Sequence, residues 1–91
     1  MKESVLEAYV IQQVRLRKGT TRKVTYQGRT GAPDRWCFLP GGKLVIMELK
    51  QHSKKPRSDQ QADIDELQSL GFSVHVVTSK GQIDEILRDL A

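Results

Sequence analysis

Apolar residues recur at helical spacing in three segments of the chain. The predicted helices span Glu3 to Lys18, Ser58 or Asp59 to Leu70, and Ser79 to Leu90. In the first segment Leu6, Val10 and Val14 follow one another at intervals of four and form one apolar stripe. Gly19 and Gly71 come directly after the first two segments, as expected of residues that end helices.

Four other segments have the apolar and β-branched composition that favours strands. They span Arg22 to Gln27, Arg35 to Leu39, Lys43 to Lys50, and Phe72 to Thr78. Loops that contain Gly or Pro lie at residues 28–33, 40–42 and 52–57. The order α-β-β-β-α-β-α indicates an α/β protein with helices flanking a central sheet. A chain of 91 residues accommodates one domain, residues 1–91.

The third predicted strand ends in two charged residues. Glu48 and Lys50 are two positions apart, so their side chains lie on the same face. The strand is otherwise apolar on both faces from Leu44 to Leu49, which predicts an interior position in the sheet. A buried acid and lysine are unfavourable without polar partners or a chemical task. A plain ion pair is the simpler interpretation, because an isolated Glu-x-Lys triplet is common by chance.

The preceding strand can supply a second acid beside Glu48. If residues 40–42 form a three-residue loop, the strand register places Asp34 directly opposite Glu48. A two-residue turn at Gly41 and Gly42 would instead shift Asp34 to the opposite face. Pro40 lacks an N–H group and suits a loop better than a ladder, which favours the first register.

Two carboxylates in this arrangement could share one hard cation, because cross-strand Cβ atoms lie ~4.5–5.5 Å apart. Oxygen ligands without a Cys/His cluster favour Mg²⁺ or Mn²⁺ over Zn²⁺. Such a cation can hold a scissile phosphate and lower the pKa of a bound water. Lys50 could stabilise charge on the phosphate oxygens. The pattern therefore predicts phosphodiester hydrolysis at Asp34, Glu48 and Lys50.

Four segments carry a resemblance to a known family. They are a first helix bearing Glu7, the segment Gly31-Ala32-Pro33-Asp34, the strand Val45-Ile46-Met47-Glu48-Leu49-Lys50, and a helix with Gln60 near its start. In these residues the chain resembles the VRR-NUC (virus-type replication-repair nuclease) family of the PD-(D/E)xK superfamily over nearly its whole length. The resemblance implies a restriction-endonuclease-like core with a mixed sheet. The family's aromatic residue a few positions after the glutamine is absent, and Asp63 stands in the comparable place.

The resemblance also implies roles for individual residues. It implies metal ligands at Glu7, Asp34, Glu48 and the backbone carbonyl of Leu49. Lys50 matches the catalytic lysine, and Gln60 matches the glutamine near the site. Gln60, Ile64 and Leu67 form a helical stripe, which independently predicts that Gln60 faces inward. From the residues alone, solvated surface positions fit Glu7 and Gln60 equally well.

Basic residues outnumber acidic ones, fifteen to eleven, and give a net charge of +4. Candidate DNA contacts near the predicted site are Arg29, Arg35, Lys54, Lys55 and Arg57. Grouped round one site, they would neutralise phosphates without reading base sequence. An ordinary solvated surface would also explain any one of them.

The single cysteine, Cys37, cannot form an internal disulfide, and no signal peptide or long apolar run is present. These features predict a cytoplasmic protein of a bacterial cell or phage-infected host, with no membrane partner. The motifs predict a Mg²⁺- or Mn²⁺-dependent DNA endonuclease, and the resemblance implies a homodimer that acts on branched DNA such as Holliday junctions. A monomeric flap or general DNA nuclease, and a DNA-binding module that lost turnover, are the alternatives.

Overall fold

A computed structural model describes residues 1–90, and over this range it contains three helices and four strands. The helices are α1 (Glu3–Leu16), α2 (Ser58–Ser69) and α3 (Lys80–Arg88), and the strands are β1 (Thr20–Lys23), β2 (Arg35–Leu39), β3 (Lys43–Leu49) and β4 (Ser73–Val77). The predicted order α-β-β-β-α-β-α is confirmed. None of the helices in residues 1–90 is long and apolar enough to cross a membrane.

The four strands form one mixed sheet in the order β1-β2-β3-β4. β2 is antiparallel to both β1 and β3, whereas β4 runs parallel to β3 and follows it through α2. Leu39 pairs with Lys43, which confirms the three-residue loop at Pro40-Gly41-Gly42. β3 is therefore an interior strand, as its apolar faces predicted.

Helices cover both faces of the sheet. On one face the stripe of Leu6, Val10 and Val14 packs with alternate residues of β3 and with α3, and all three of these side chains are fully buried. On the other face Ile46 of β3 packs against Ile64 of α2, together with part of β4. Because side chains alternate along β3, this strand contributes to both apolar layers and fixes the position of its charged end.

The first strand lies earlier in the chain than its composition predicts. It spans Thr20–Lys23, and after the Val24 N–H donates to the Asp34 carbonyl (3.0 Å) the chain leaves the sheet. Tyr26 then reaches α2, where its hydroxyl donates to Asp63 at 2.6 Å. A specific contact with the helix thus outweighs the strand preference of this segment.

The end of α1 also differs from its prediction. The helix stops at Leu16, and Lys18, not Gly19, adopts the left-handed conformation, with φ 66°. Gly19 is needed for another reason: a Cβ atom there would lie 2.5 Å from the Phe38 carbonyl oxygen. The glycine therefore allows the chain to pass close to β2 as it enters the sheet.

Candidate active site

Asp34 and Glu48 are brought together by the register of β2 and β3. Arg35 pairs with Met47, so the next step along the ladder places Asp34 opposite Glu48, as predicted. The Asp34 N–H donates to Glu48 Oε1 at 3.2 Å. The indole N–H of Trp36, the second residue of β2, donates to the Pro33 carbonyl at 2.9 Å and holds the segment that leads into Asp34.

The Glu48 carboxylate is buried, with an exposed fraction of 2%, and is surrounded by donors. Lys50 Nζ lies 3.2 Å from Glu48 Oε2, and Gln60 Nε2 donates to the same oxygen at 3.2 Å. The ion pair confirms that Glu48 and Lys50 share a face. The burial cost of this acid is offset by two hydrogen bonds, from the Asp34 N–H and the Gln60 side chain, and by the ion pair with Lys50.

Asp34 is less well satisfied. Its Oδ1 atom is buried and has no hydrogen-bond partner within residues 1–90. Burial, and after it the neighbouring Glu48 carboxylate, raise the pKa of Asp34 to about 6, while the backbone N–H of Leu49 acts in the opposite direction. A buried oxygen without a donor, beside a second carboxylate, is the arrangement that a hard divalent cation would stabilise.

Gln60 occupies the first turn of α2 and faces inward, as the helical stripe predicted. It is buried to 7% exposure, and its Oε1 accepts from the Arg57 N–H at 3.0 Å. Arg57 is therefore the residue that precedes the helix, where Ser58 or Asp59 was predicted. By bonding both the start of α2 and Glu48, Gln60 fixes the acid relative to the helix.

Glu7 comes from α1, on the other face of the sheet. Its Oε2 accepts from Arg35 at 2.7 Å, although Glu7, Asp34 and Leu49 border one cavity of about 210 Å³. Within residues 1–90, no group of three or more His, Cys, Asp or Glu residues is arranged to hold a metal ion. The predicted three-acid cluster is not assembled among these residues: Glu7 is paired with Arg35, and only Asp34 and Glu48 lie together.

The prediction that Arg35 contacts DNA is also corrected. Its exposed fraction is 8%, and its guanidinium donates to Glu7 and, at 3.1 Å, to Thr21. Alternation along β2 directs this side chain towards α1 and away from solvent. A buried guanidinium that is already paired has no free path to a phosphate, so Arg35 acts as a structural partner of Glu7.

The other predicted basic contacts lie at the surface. Lys54 and Lys55 are exposed in the loop after β3. Arg29 and Arg57 border a cavity of about 380 Å³ that reaches Asp34, and Lys23 borders it too. Lys23 is not among the contacts predicted above, because only the folded sheet, in which Lys23 pairs with Arg35, brings the end of β1 beside Asp34.

Tyr26 and Asp63 were also missed. Asp63 is 5% exposed and accepts from the Tyr26 hydroxyl at 2.6 Å and from Arg29 at 2.9 Å. One signal was present in the sequence: Asp63 lies three positions after Gln60, on the inward stripe of α2. An acid at an inward helical position requires partners from another element.

Two comparisons with known proteins agree with this geometry. The chain is 34% identical over 80 residues to the protein named "Putative nuclease p44" of Acyrthosiphon pisum secondary endosymbiont phage 1, covering 88% of this chain and 86% of that protein. A solved structure described as a VRR_NUC domain superimposes with a TM-score of 0.89 at 31% identity, over 94% of each chain. The chain belongs to the VRR-NUC family. No family model matches the sequence.

Membership of the VRR-NUC family relates the site to a family of nucleases. The resemblance seen in the sequence is confirmed by a relative similar over nearly its whole length. The VRR-NUC fold is a four-stranded mixed sheet flanked by helices, and the acids and lysine of the sequence motif lie together at one end of β2 and β3. This chain is thus a member of a nuclease family with the motif residues in mutual contact.

Proposed function

We propose that this VRR-NUC protein is a DNA endonuclease that hydrolyses phosphodiester bonds with Mg²⁺ or Mn²⁺. One arrangement carries the proposal: Asp34 and Glu48 lie side by side, Asp34 Oδ1 is buried without a donor among residues 1–90, and Lys50 contacts Glu48. The oxygen-only donor set fits a hard divalent cation, and Asp34 and Glu48 would hold it. When bound, the cation supplies Lewis acidity at the scissile phosphate and a water of lowered pKa.

Side chains of this chain have the other proposed roles in the reaction. Lys50 would donate to the oxygens of the scissile phosphate, where negative charge grows in the transition state. Its contact with Glu48 holds the ammonium group at the site before substrate binds. Gln60 would keep Glu48 in one orientation by donating to Oε2. Glu7 borders the same cavity as Asp34 and could approach the cation only after leaving Arg35.

The proposed substrate is branched DNA, and the proposed active form is a homodimer. A four-way junction is two-fold symmetric, so two copies of one site, related by a two-fold axis, could make its paired incisions. The chain holds one such constellation within residues 1–90, which supports this assignment. Its place of action would be the cytoplasm of a bacterial or phage-infected cell, where that DNA is found.

Cleavage of a panel of DNA structures tests the proposal. Four-way junction, flap, fork, duplex and single strand are each incubated with Mg²⁺, Mn²⁺ or EDTA and analysed on denaturing gels. We expect symmetric incision of the junction with either metal and none with EDTA. Preferential cleavage of flaps would indicate the monomeric nuclease. Absence of cleavage with any metal, together with DNA binding, would identify a DNA-binding module.

The role of Asp34 is tested with two variants, each of which removes one acid. Asp34→Asn should abolish cleavage by the folded protein, because the cation loses a charged ligand. Asp65→Asn removes the same charge from an exposed position on α2, whose carboxylate contacts only Gln61 among the hydrogen bonds found in residues 1–90. It should cleave at the normal rate. Equal activity of both variants would refute the assignment of Asp34.

A further inference from the structure

The loop at residues 24–32 is fastened to α2 by side-chain contacts. Asp63 accepts from Tyr26 at 2.6 Å and from Arg29 at 2.9 Å, and Asp59 accepts from Thr30 at 2.6 Å. Gly31 lies so close to the helix that a Cβ atom would stand 3.0 Å from the Asp59 carbonyl oxygen. The loop is therefore held in one position although it contains no regular structure.

Asp63 is the centre of this attachment. Its side chain is 3% exposed, and each of its two carboxylate oxygens has one donor. The Arg29 guanidinium also lies over the Tyr26 ring, 4.6 Å from the ring centroid. The Asp63 carboxylate and the Tyr26 ring together restrict the Arg29 side chain, which would otherwise sample many rotamers.

The arginine held in this way remains available to a ligand. The Arg29 side chain is 60% exposed, and its contact with Asp63 uses one of five N–H groups. It borders the 380 Å³ cavity with Lys23 and Arg57, and the same cavity reaches Asp34. Three cations thus surround a space that opens directly onto one of the two metal-site acids.

We propose that Tyr26, Arg29 and Asp63 form a clamp for a backbone phosphate of the DNA strand, next to the phosphate that is cut. Arg29 contacts the phosphate, and Asp63 and Tyr26 are positioning residues that aim it. The proposal rests on the nuclease function and identifies where the strand enters. A planar guanidinium held in advance loses less conformational entropy on binding a phosphate than a free one does.

Charge and location both favour a backbone phosphate as the ligand. The cavity contains three basic residues and a half-buried Asp34, so an anion would bind near the cations and away from the acid. Attachment of the loop alone would not require an exposed cation, because Thr30 and the Tyr26 hydroxyl already bond α2. The exposed N–H groups of Arg29 that the contact with Asp63 does not use are therefore available to a partner outside the chain.

The phosphate contact is tested by DNA binding in the inactive Glu48→Gln background, with duplex and single-stranded oligonucleotides. We expect Arg29→Ala to reduce the slope of log Kobs against log salt by about 0.9 for duplex, or about 0.7 for single strand, the effect of one lost phosphate contact. Arg88→Ala, which removes an exposed cation from α3, is the matched control and should leave the slope unchanged. Equal slopes for the two variants would overturn the clamp.

The positioning role is tested by steady-state cleavage with Tyr26→Phe, which removes one hydroxyl and keeps the ring. We expect KM for DNA to rise several-fold with little change in kcat. Tyr9→Phe is the matched control: the Tyr9 hydroxyl donates to Asp84 at 2.7 Å, and Lys80 lies over its ring. If Tyr26→Phe lowers only the melting temperature, as Tyr9→Phe should, Tyr26 is structural and the positioning role is wrong.

The two experiments separate this proposal from the nuclease assignment. Binding in the Glu48→Gln background requires no turnover, so a reduced salt slope supports the clamp even if the wild-type protein cuts nothing. Active wild-type protein with an unchanged slope in Arg29→Ala supports the nuclease and refutes the clamp. Absence of DNA binding by Glu48→Gln protein refutes the clamp, whereas the nuclease assignment is decided by cleavage with the wild-type protein. Arg29→Ala leaves the buried Asp63 carboxylate with one of its two donors, the Tyr26 hydroxyl, so its melting temperature is measured before the slopes are compared.

Discussion

The Asp34 carboxyl group lies in surroundings that oppose its charge. Burial and the Glu48 carboxylate raise its pKa from 3.8 to about 6, so the metal-free protein binds this proton more tightly than the unfolded chain does. The unfolded state ionises first as the pH rises, and the free energy of unfolding must fall between about pH 4 and pH 6. The acid is thus a local cost that a bound cation would remove.

Asp34→Asn should remove this cost. Without metal at pH 7 we expect the variant to be more stable than the wild type by about 1–2 kcal/mol, because solvent screening of this partly exposed group reduces the 1.36 kcal/mol per unit of pKa difference. Below pH 4 the two proteins should unfold alike, since both then carry a neutral group at this position. Thermal unfolding in EDTA at several pH values measures the difference. A lower melting temperature for the variant at pH 7 would contradict a close acid pair.

Lys50→Ala should reduce turnover far more than DNA binding. The proposed contact of Lys50 strengthens as charge develops on the phosphate, so its loss is expected to cost roughly 10²–10³ in kcat. Single-turnover cleavage and equilibrium binding on the same junction provide the two measurements. If Kd rises by as much as kcat falls, Lys50 is a phosphate anchor and not a catalytic residue.

At the scale of the elements, the positions of the strands that carry the candidate site could be predicted from the local sequence. Pro40 and two glycines form the loop of the hairpin, and the length of the loop determines which residues pair across the two strands. The pairing of Asp34 with Glu48 could therefore be predicted from the sequence alone. The contacts that were missed join segments far apart in the chain. Glu7 with Arg35 and Tyr26 with Asp63 depend on how the helices pack on the sheet. Periodicity gives a residue's face but not its partner.

The loop after β3 provides a prediction at this scale. Lys54 and Lys55 are exposed in residues 50–57, directly after β3. We expect their joint replacement by Ala to weaken binding to all DNA structures alike and to reduce the salt slope by up to about 0.9 per lost duplex contact. Replacement of Lys80 and Arg88 on α3 removes the same charge elsewhere. Identical salt slopes for the two double variants would indicate that the loop is ordinary surface and does not contact DNA.

At the scale of the whole molecule, the protein is small for the chemistry proposed. Its radius of gyration is 12.5 Å, and a chain of this length buries only about 60–65% of the surface that it exposes when unfolded. Several large apolar side chains remain exposed, among them Leu16 at 67% on α1. Association of two copies would hide apolar surface and would also supply the second site that symmetric cleavage of a junction requires.

We therefore expect a dimer of about 20 kDa at micromolar concentration, twice the mass of the 10.3 kDa chain, measured by light scattering. Mixing active protein with an excess of the Glu48→Gln variant should form heterodimers with one working site. Because each site cuts one strand, these should nick a four-way junction once, and paired incision should fall as the excess grows. A monomer both free and on DNA, or paired incision that persists in the excess, would reject the two-site mechanism. The monomeric flap nuclease would then account better for a single constellation in each chain.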